Sequence, residues 1–195
     1  MKTSLALLLA SALGAFGPTA IAQSAPADPS GTRFYANGQI QSQIEQTRSR
    51  RTERAFYPTG VMQHEIVYAM DGAKPIKERE VQFTPAGTML REQKWVGGEP
   101  QLDVEFLASG VLRSRKEYMG LGSTREMVSQ SYFASGVLAS EERMAVPSSG
   151  KPFPVGVQKS FDASGRLIQE RNYDDNGRLV SEKSMGPAGA LVQTR

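Results

Sequence analysis

The chain has no cysteine, one histidine, one tryptophan and almost no excess charge of either sign. Each scarcity removes a class of explanation. Without cysteine there are no disulfides, no thiolate ligands and no N-terminal lipid held through sulfur, so stability has to come from packing and strand pairing. With His64 as the sole imidazole, a zinc site lacks a ligand set. No Gly-x-Ser-x-Gly nucleophile elbow occurs. The 23 basic and 20 acidic residues are mixed along the chain, a formal +3 that is no nucleic-acid footprint. Beyond the first residues no apolar run approaches the ~20 needed to cross a bilayer, so the mature chain is expected to have no integral membrane segment.

The first residues read as an export signal. Lys2 precedes the apolar stretch that begins Leu5-Ala-Leu-Leu-Leu-Ala10 and runs to Phe16, and Ala20-Ile21-Ala22 is a small-x-small cleavage site. Residues 1–22 are therefore expected to be a signal peptide, which places the chain in the periplasm or outside the cell. Residues 23–31, rich in Ser, Ala, Pro and Gly, read as a flexible leader with too little apolar surface to offset the entropy of ordering. The remainder, 32–195, reads as one repeat domain.

Its organising feature is a motif, aromatic-x-x-x-Gly-x-aliphatic, that occurs eight times. The glycines are Gly38, Gly60, Gly87, Gly110, Gly136, Gly165, Gly177 and Gly189, and only Met185 breaks the aromatic rule. A type I turn closed by a glycine in the left-handed conformation explains the spacing. The residue three before Gly then pairs with the residue one after it, and the aromatic four before faces the aliphatic two after. Turn chemistry agrees: Asp162 and Asp174 stand at the first turn position, Pro58, Pro85 and Pro187 at the second. Weaker glycines, Gly72, Gly98, Gly122 and Gly150, lie between the strong ones, and a further turn is expected near Arg48 to Arg51. The expected fold is all-β: tandem hairpins in one elongated, twisted antiparallel meander of about a dozen strands, single-layered or partly rolled. Strong turns should line one edge and weak turns the other, except near the end, where both edges carry strong ones. By simple alternation, Leu102, Val104 and Phe106 share a face, Leu167 shares one with Tyr173, and His64 follows Met62 onto the apolar face.

Segments such as Phe34-Tyr-Ala-Asn-Gly-Gln-Ile40, Phe56-Tyr-Pro-Thr-Gly-Val-Met62 and Tyr173-Asp-Asp-Asn-Gly-Arg-Leu179 resemble MORN-variant repeats, which occur in bacterial proteins labelled YwqK-family antitoxins. The stretches from Phe161 to Leu167 and Tyr173 to Leu179 are also similar to the YD repeats of Rhs-type proteins. Both resemblances imply β-hairpin arrays.

No residue set points to catalysis, a cofactor or a metal. Asp174, the strongest carboxylate candidate with its neighbour Asp175, is accounted for by turn geometry, and no facing carboxylate pair is apparent. For partner binding the candidates are Trp95, the aromatics Tyr35, Tyr57 and Phe133 at one repeat position, and the arginines Arg48, Arg50, Arg51 and Arg54. The reading is an exported, non-enzymatic binding or scaffold module for an envelope component or partner protein, of unspecified oligomeric state. A periplasmic immunity protein and a wall or glycan hydrolase are the alternatives.

Overall fold

In the computed structural model, residues 31–120, 124–186 and 191–194 are described. They contain strands and turns and no helix, and all fifteen strands join one sheet. In chain order these are β1 Arg33–Phe34, β2 Ile40–Gln46, β3 Arg50–Phe56, β4 Met62–Asp71, β5 Lys74–Phe83, β6 Met89–Val96, β7 Glu99–Phe106 and β8 Leu112–Met119. There follow β9 Thr124–Tyr132, β10 Leu138–Pro147, β11 Phe153–Pro154, β12 Gly156–Phe161, β13 Leu167–Tyr173, β14 Leu179–Met185 and β15 Leu191–Thr194. Each strand pairs antiparallel with its chain neighbour, save that β10 pairs both the two-residue β11 and β12. The strand count exceeds the expected dozen because β1 and β11 are two-residue pieces that alternation does not reveal. The expected signal peptide, most of the expected leader, Gly122, Pro187 and Gly189 lie outside the described residues.

The turn geometry is the expected one. In the first hairpin the Gly38 amide donates to Tyr35 O at 2.9 Å and the Tyr35 amide to Gln39 O at 2.8 Å. The same two bonds recur around Gly60, Gly87, Gly110, Gly136, Gly165 and Gly177, whose φ angles lie between 77° and 85°. The aromatic–aliphatic register holds throughout: Phe34 faces Ile40, Phe56 Met62, Phe83 Met89, Phe106 Leu112, Tyr132 Leu138, Phe161 Leu167, Tyr173 Leu179 and Met185 Leu191. The carboxylates of Asp162 and Asp174 accept backbone amides two and four residues on, at 2.9–3.1 Å, as their turn positions require. The turn expected near Arg48 to Arg51 is closed by the Thr47 amide on Arg50 O at 2.8 Å.

One step beyond each aromatic–aliphatic pair the register shifts, because the strand leaving the turn carries an extra residue. Phe56 faces Met62 but Ala55 faces His64, leaving Gln63 without an opposite number. Leu90, Arg113, Ala139, Ile168 and Val180 are the corresponding residues of later hairpins. Such a bulge reverses the alternation that follows it. Met62 and His64 therefore lie on opposite faces, as do Leu167 and Tyr173, and both corrections have this one cause. Leu102, Val104 and Phe106 lie on one face of β7, as expected, because no bulge interrupts them.

Cross-strand partners share a face, so the register sorts the side chains. One face carries Phe56, Phe83, Phe106 and Phe161 near the strong-turn edge and a file of Thr52, Val67, Val81 and Val104 further in, exposed by 8%, 4%, 1% and 8%. The same face carries a chain of ion pairs, Glu45–Arg54–Glu65–Arg79–Glu92–Lys94, at 2.8–3.5 Å. The hydrophobic core is thus a file of small β-branched residues on one side of a sheet. The other face, which carries His64, Glu80, Gln82, Arg91 and Asp103 with Ile66, Tyr68 and Trp95 among them, is the polar face.

The strong turns also stack. A Cβ on Gly87 would lie 3.8 Å from Val61, on Gly110 3.7 Å from Thr88, and on Gly165 3.6 Å from Val137, so the residue after each glycine rests on the next turn. Gly177, on the opposite edge, is the crowded case: its Cβ would meet Phe153 at 3.0 Å, whereas one on Gly38 meets nothing within 4 Å. Gly38→Ala is expected to cost about 1 kcal/mol of backbone strain, and Gly177→Ala roughly 2 kcal/mol, the excess coming from displacement of the Phe153 ring. Urea titration of both variants checks the order.

Candidate interaction surface

Tyr35 and Tyr57 are built into the strong-turn edge. The Tyr35 hydroxyl donates to Phe56 O at 2.7 Å and the Tyr57 hydroxyl to Phe83 O at 2.9 Å. Each tyrosine reaches from its own turn to the backbone of the next hairpin on that edge, and Asn37 Nδ2 does the same to Pro58 O at 3.0 Å. Phe133, at the same repeat position, has no hydroxyl and makes no such bond. Tyr35→Phe and Tyr57→Phe are each expected to lower the unfolding free energy by about 1 kcal/mol. Phe133→Ala is expected to cost packing alone. Thermal unfolding of the three variants separates the two roles.

The arginines divide as well. Arg54 is held between Glu45 at 3.0 Å and Glu65 at 2.9 Å, and Arg51 pairs with Glu53 at 2.6 Å. Arg48 and Arg50 are exposed, and neither guanidinium has an ion pair among the described residues. The free positive charge of this region is therefore these two residues, at the weak-turn edge. Trp95 lies near that same edge on the polar face, with Lys77 Nζ 4.3 Å above its ring. The sequence candidates accordingly fall at separate places: Tyr35 and Tyr57 on one edge, Trp95, Arg48 and Arg50 towards the other, and Phe133 in the second half of the sheet.

Several polar-face features escaped the sequence. His64 Nε2 lies 2.8 Å from Glu80 Oε1, and Glu80 also accepts from Lys77 and from Gln82 Nε2 at 3.1 Å. Burial alone would raise the Glu80 carboxyl, but the hydrogen bonds from Lys77, His64 and Gln82 together outweigh it and hold it down at about 2. Further along, Arg125 is 7% exposed, its Nη1 2.6 Å from Glu99 and its guanidinium 5.1 Å over Tyr118. Burial raises the Tyr118 hydroxyl, helped by the Asp103 charge. Two open depressions of about 340 Å³ meet at His64, one towards Ser42, Ile44 and Ile66, the other towards Tyr57, Gln82 and Leu90. A third, of about 220 Å³, is lined by Glu142, Met144, Gln158, Ser160, Gln169 and Arg171.

The MORN repeat variant family matches residues 31–46, which span the Gly38 hairpin, and 154–175, which span the Gly165 hairpin. These segments are MORN-variant repeats. The hairpins between the two MORN-variant segments share their turn bonds and register, so one architecture runs through the described residues. The matches concern the MORN-variant resemblance and do not bear on YwqK-family antitoxins or YD repeats. No curated protein matches the chain. A chain in the solved structure titled "Crystal Structure of TcdB2-TccC3-Cdc42" is similar at 12% identity and a TM-score of 0.20, over 84% of this chain and 12% of that one. This chain thus spans about an eighth of that chain's length. Among the described residues no helix is long and apolar enough to cross a membrane.

Proposed function

We propose that this repeat protein is an exported, non-enzymatic binding or scaffold module whose sheet presents a contact surface to an envelope component or partner protein. The observation that carries this is where apolar surface is left uncovered. Val157, Ile168, Leu179, Val180 and Leu191 are 40–60% exposed, and all lie on β12 to β15. Leu179 and Val180, adjacent beside the Gly177 turn, are the contiguous part of this exposure, since Val157 and Leu191 lie on the face opposite Leu179; contiguous exposed apolar surface marks contact sites. The carboxylates support a binding role in another way. Glu65, Glu92, Asp103 and Glu182 are each engaged by an arginine within 3.3 Å, which leaves them poorly placed for acid–base work. Export rests on the sequence of residues 1–22.

In-cell crosslinking of the tagged full-length protein tests the reading. A recurrent protein or envelope component, lost when Leu179 and Val180 are changed to Ser, supports it. Turnover of a wall polymer by the purified chain, abolished by replacing one carboxylate, would replace it with the hydrolase alternative.

A further inference from the structure

Asparagine followed by glycine occurs twice in the chain, at Asn37-Gly38 and at Asn176-Gly177. Both glycines close the same kind of turn. The Gly38 amide donates to Tyr35 O at 2.9 Å and the Gly177 amide to Asp174 O at 3.0 Å, with φ angles of 83° and 77°. The two asparagines therefore occupy equivalent positions on matching backbone, and both are exposed. Their side chains do not share a setting.

Asn37 is held at both ends of its carboxamide. Its Oδ1 accepts the Gln39 amide at 3.1 Å, and its Nδ2 donates to Pro58 O on the next turn along the edge at 3.0 Å. Asn176 has neither bond. The Arg178 amide, which corresponds to that of Gln39, goes instead to Asp174 Oδ1 at 2.9 Å, and the Asn176 backbone amide joins it there at 2.9 Å. What lies against Gly177 is the Phe153 side chain, which offers no acceptor. The Asn176 carboxamide has no partner among the described residues.

We infer that Asn176 is a site of spontaneous modification in the folded protein, losing its side-chain amide through a cyclic imide, and that Asn37 is protected from the same reaction. The Gly177 main-chain nitrogen gives up its proton and attacks Asn176 Cγ. An N–Cγ bond forms, the Cγ–Nδ2 bond breaks, and the amide nitrogen takes up a proton and leaves as ammonia. Water then opens the five-membered ring at one carbonyl or the other, giving aspartate, or isoaspartate with the main chain running through Cγ. Water is the only co-reactant, and nothing is oxidised or reduced. Glycine admits the attack because, without a Cβ, its nitrogen is open to the approaching carbon. The asparagine must also turn its Cγ onto that nitrogen. Asn176 is free to do so, whereas Asn37 must first release two hydrogen bonds. The hydrogen bond made by the glycine amide is common to both turns and cancels. Asp175 sets a charge beside Asn176 that opposes loss of the amide proton, but it is exposed and screened by salt, so the two hydrogen bonds outweigh it.

The product carries a new negative charge in the turn that leads into Leu179 and Val180, whose side chains are exposed. Isoaspartate also lengthens the main chain by a methylene group, where a Cβ on Gly177 would already meet Phe153 at 3.0 Å. Chains of different age therefore differ at the contact surface proposed above, while the reaction itself does not depend on that role.

The test is incubation of the purified full-length chain in warm, mildly alkaline buffer, with peptide mass mapping at successive times, beside a portion held unfolded in urea. In the folded chain deamidation at Asn176 is expected to run about tenfold faster than at Asn37. In urea, where the hydrogen bonds of Asn37 are gone, the two rates should come within about threefold of each other. Asn176→Gln should abolish the modification in its segment and leave the rate at Asn37 unchanged. A folded chain that reacts at both sites alike, faster at Asn37, or at neither while the urea sample reacts at both, overturns the inference. So does modification that survives Asn176→Gln, which would belong to Asn172.

Discussion

Val81→Asp is expected to lower the free energy of unfolding by about 4 kcal/mol, a large fraction of the ~5–15 kcal/mol that a typical domain has. Val81 is 1% exposed and sits in the middle of the valine file. Its cross-strand neighbours are Glu65 and Glu92, whose charges are already matched by Arg54, Arg79 and Lys94. A third carboxylate there has no cation left to meet it and is repelled by the two beside it. Val81→Ala, which removes methyl groups without adding charge, should cost about 2 kcal/mol. Val96→Asp, at a residue 59% exposed, should stay within about 0.5 kcal/mol. Urea midpoints for the three variants decide the matter: if Val81→Asp unfolds where the unaltered chain does, the valine file is not the core.

The second large effect concerns acid. Glu80 sits at about 2 in the folded protein against an ordinary value of 4.5, and its side chain is 14% exposed. A carboxyl depressed on folding stabilises the native state fully above the unfolded value. That contribution is lost as the pH falls from about 4.5 towards 2. At 1.36 kcal/mol per pH unit this amounts to roughly 3 kcal/mol. Glu92, Asp162 and Asp174 are also held below their usual range and titrate in the same direction, so the unaltered chain loses stability from several groups at once. The Glu80 share is isolated by comparison: between pH 6 and pH 2.5, Glu80→Gln should lose about 2–3 kcal/mol less than the unaltered chain. Equal losses would mean that the hydrogen bonds from Lys77, His64 and Gln82 do not favour the ionised carboxylate.

How much of this was legible in the sequence depends on how far each feature lies from a turn. The left-handed glycine fixes the geometry of its own hairpin, so each aromatic–aliphatic pair follows from counting four back and two forward. The bulge one residue further on has no such marker. Its extra residue is Gln63 in one hairpin, Leu90 in another and Arg113 in a third, and no common chemistry announces it. Every inference carried by parity across that point was therefore inverted, His64 and Leu167 among them. The roles of Tyr35 and Tyr57 needed the stacking of one turn on the next, since each hydroxyl finds its carbonyl 21 or 26 residues away. The arginine run split into paired and unpaired members because their partners come from β2, β3 and β4, in an order that only the register reveals.

Pairing only with chain neighbours also governs how such a chain assembles. Every pairing closes a short stretch of chain, so little loop entropy is lost at any one step, and hairpins form in the order that local stability dictates rather than waiting for distant segments to meet. The two ends then fray independently. β3 to β7, with the buried file and the linked ion pairs, should hold their amide protons longest, while β13 to β15, with their uncovered aliphatics, exchange first.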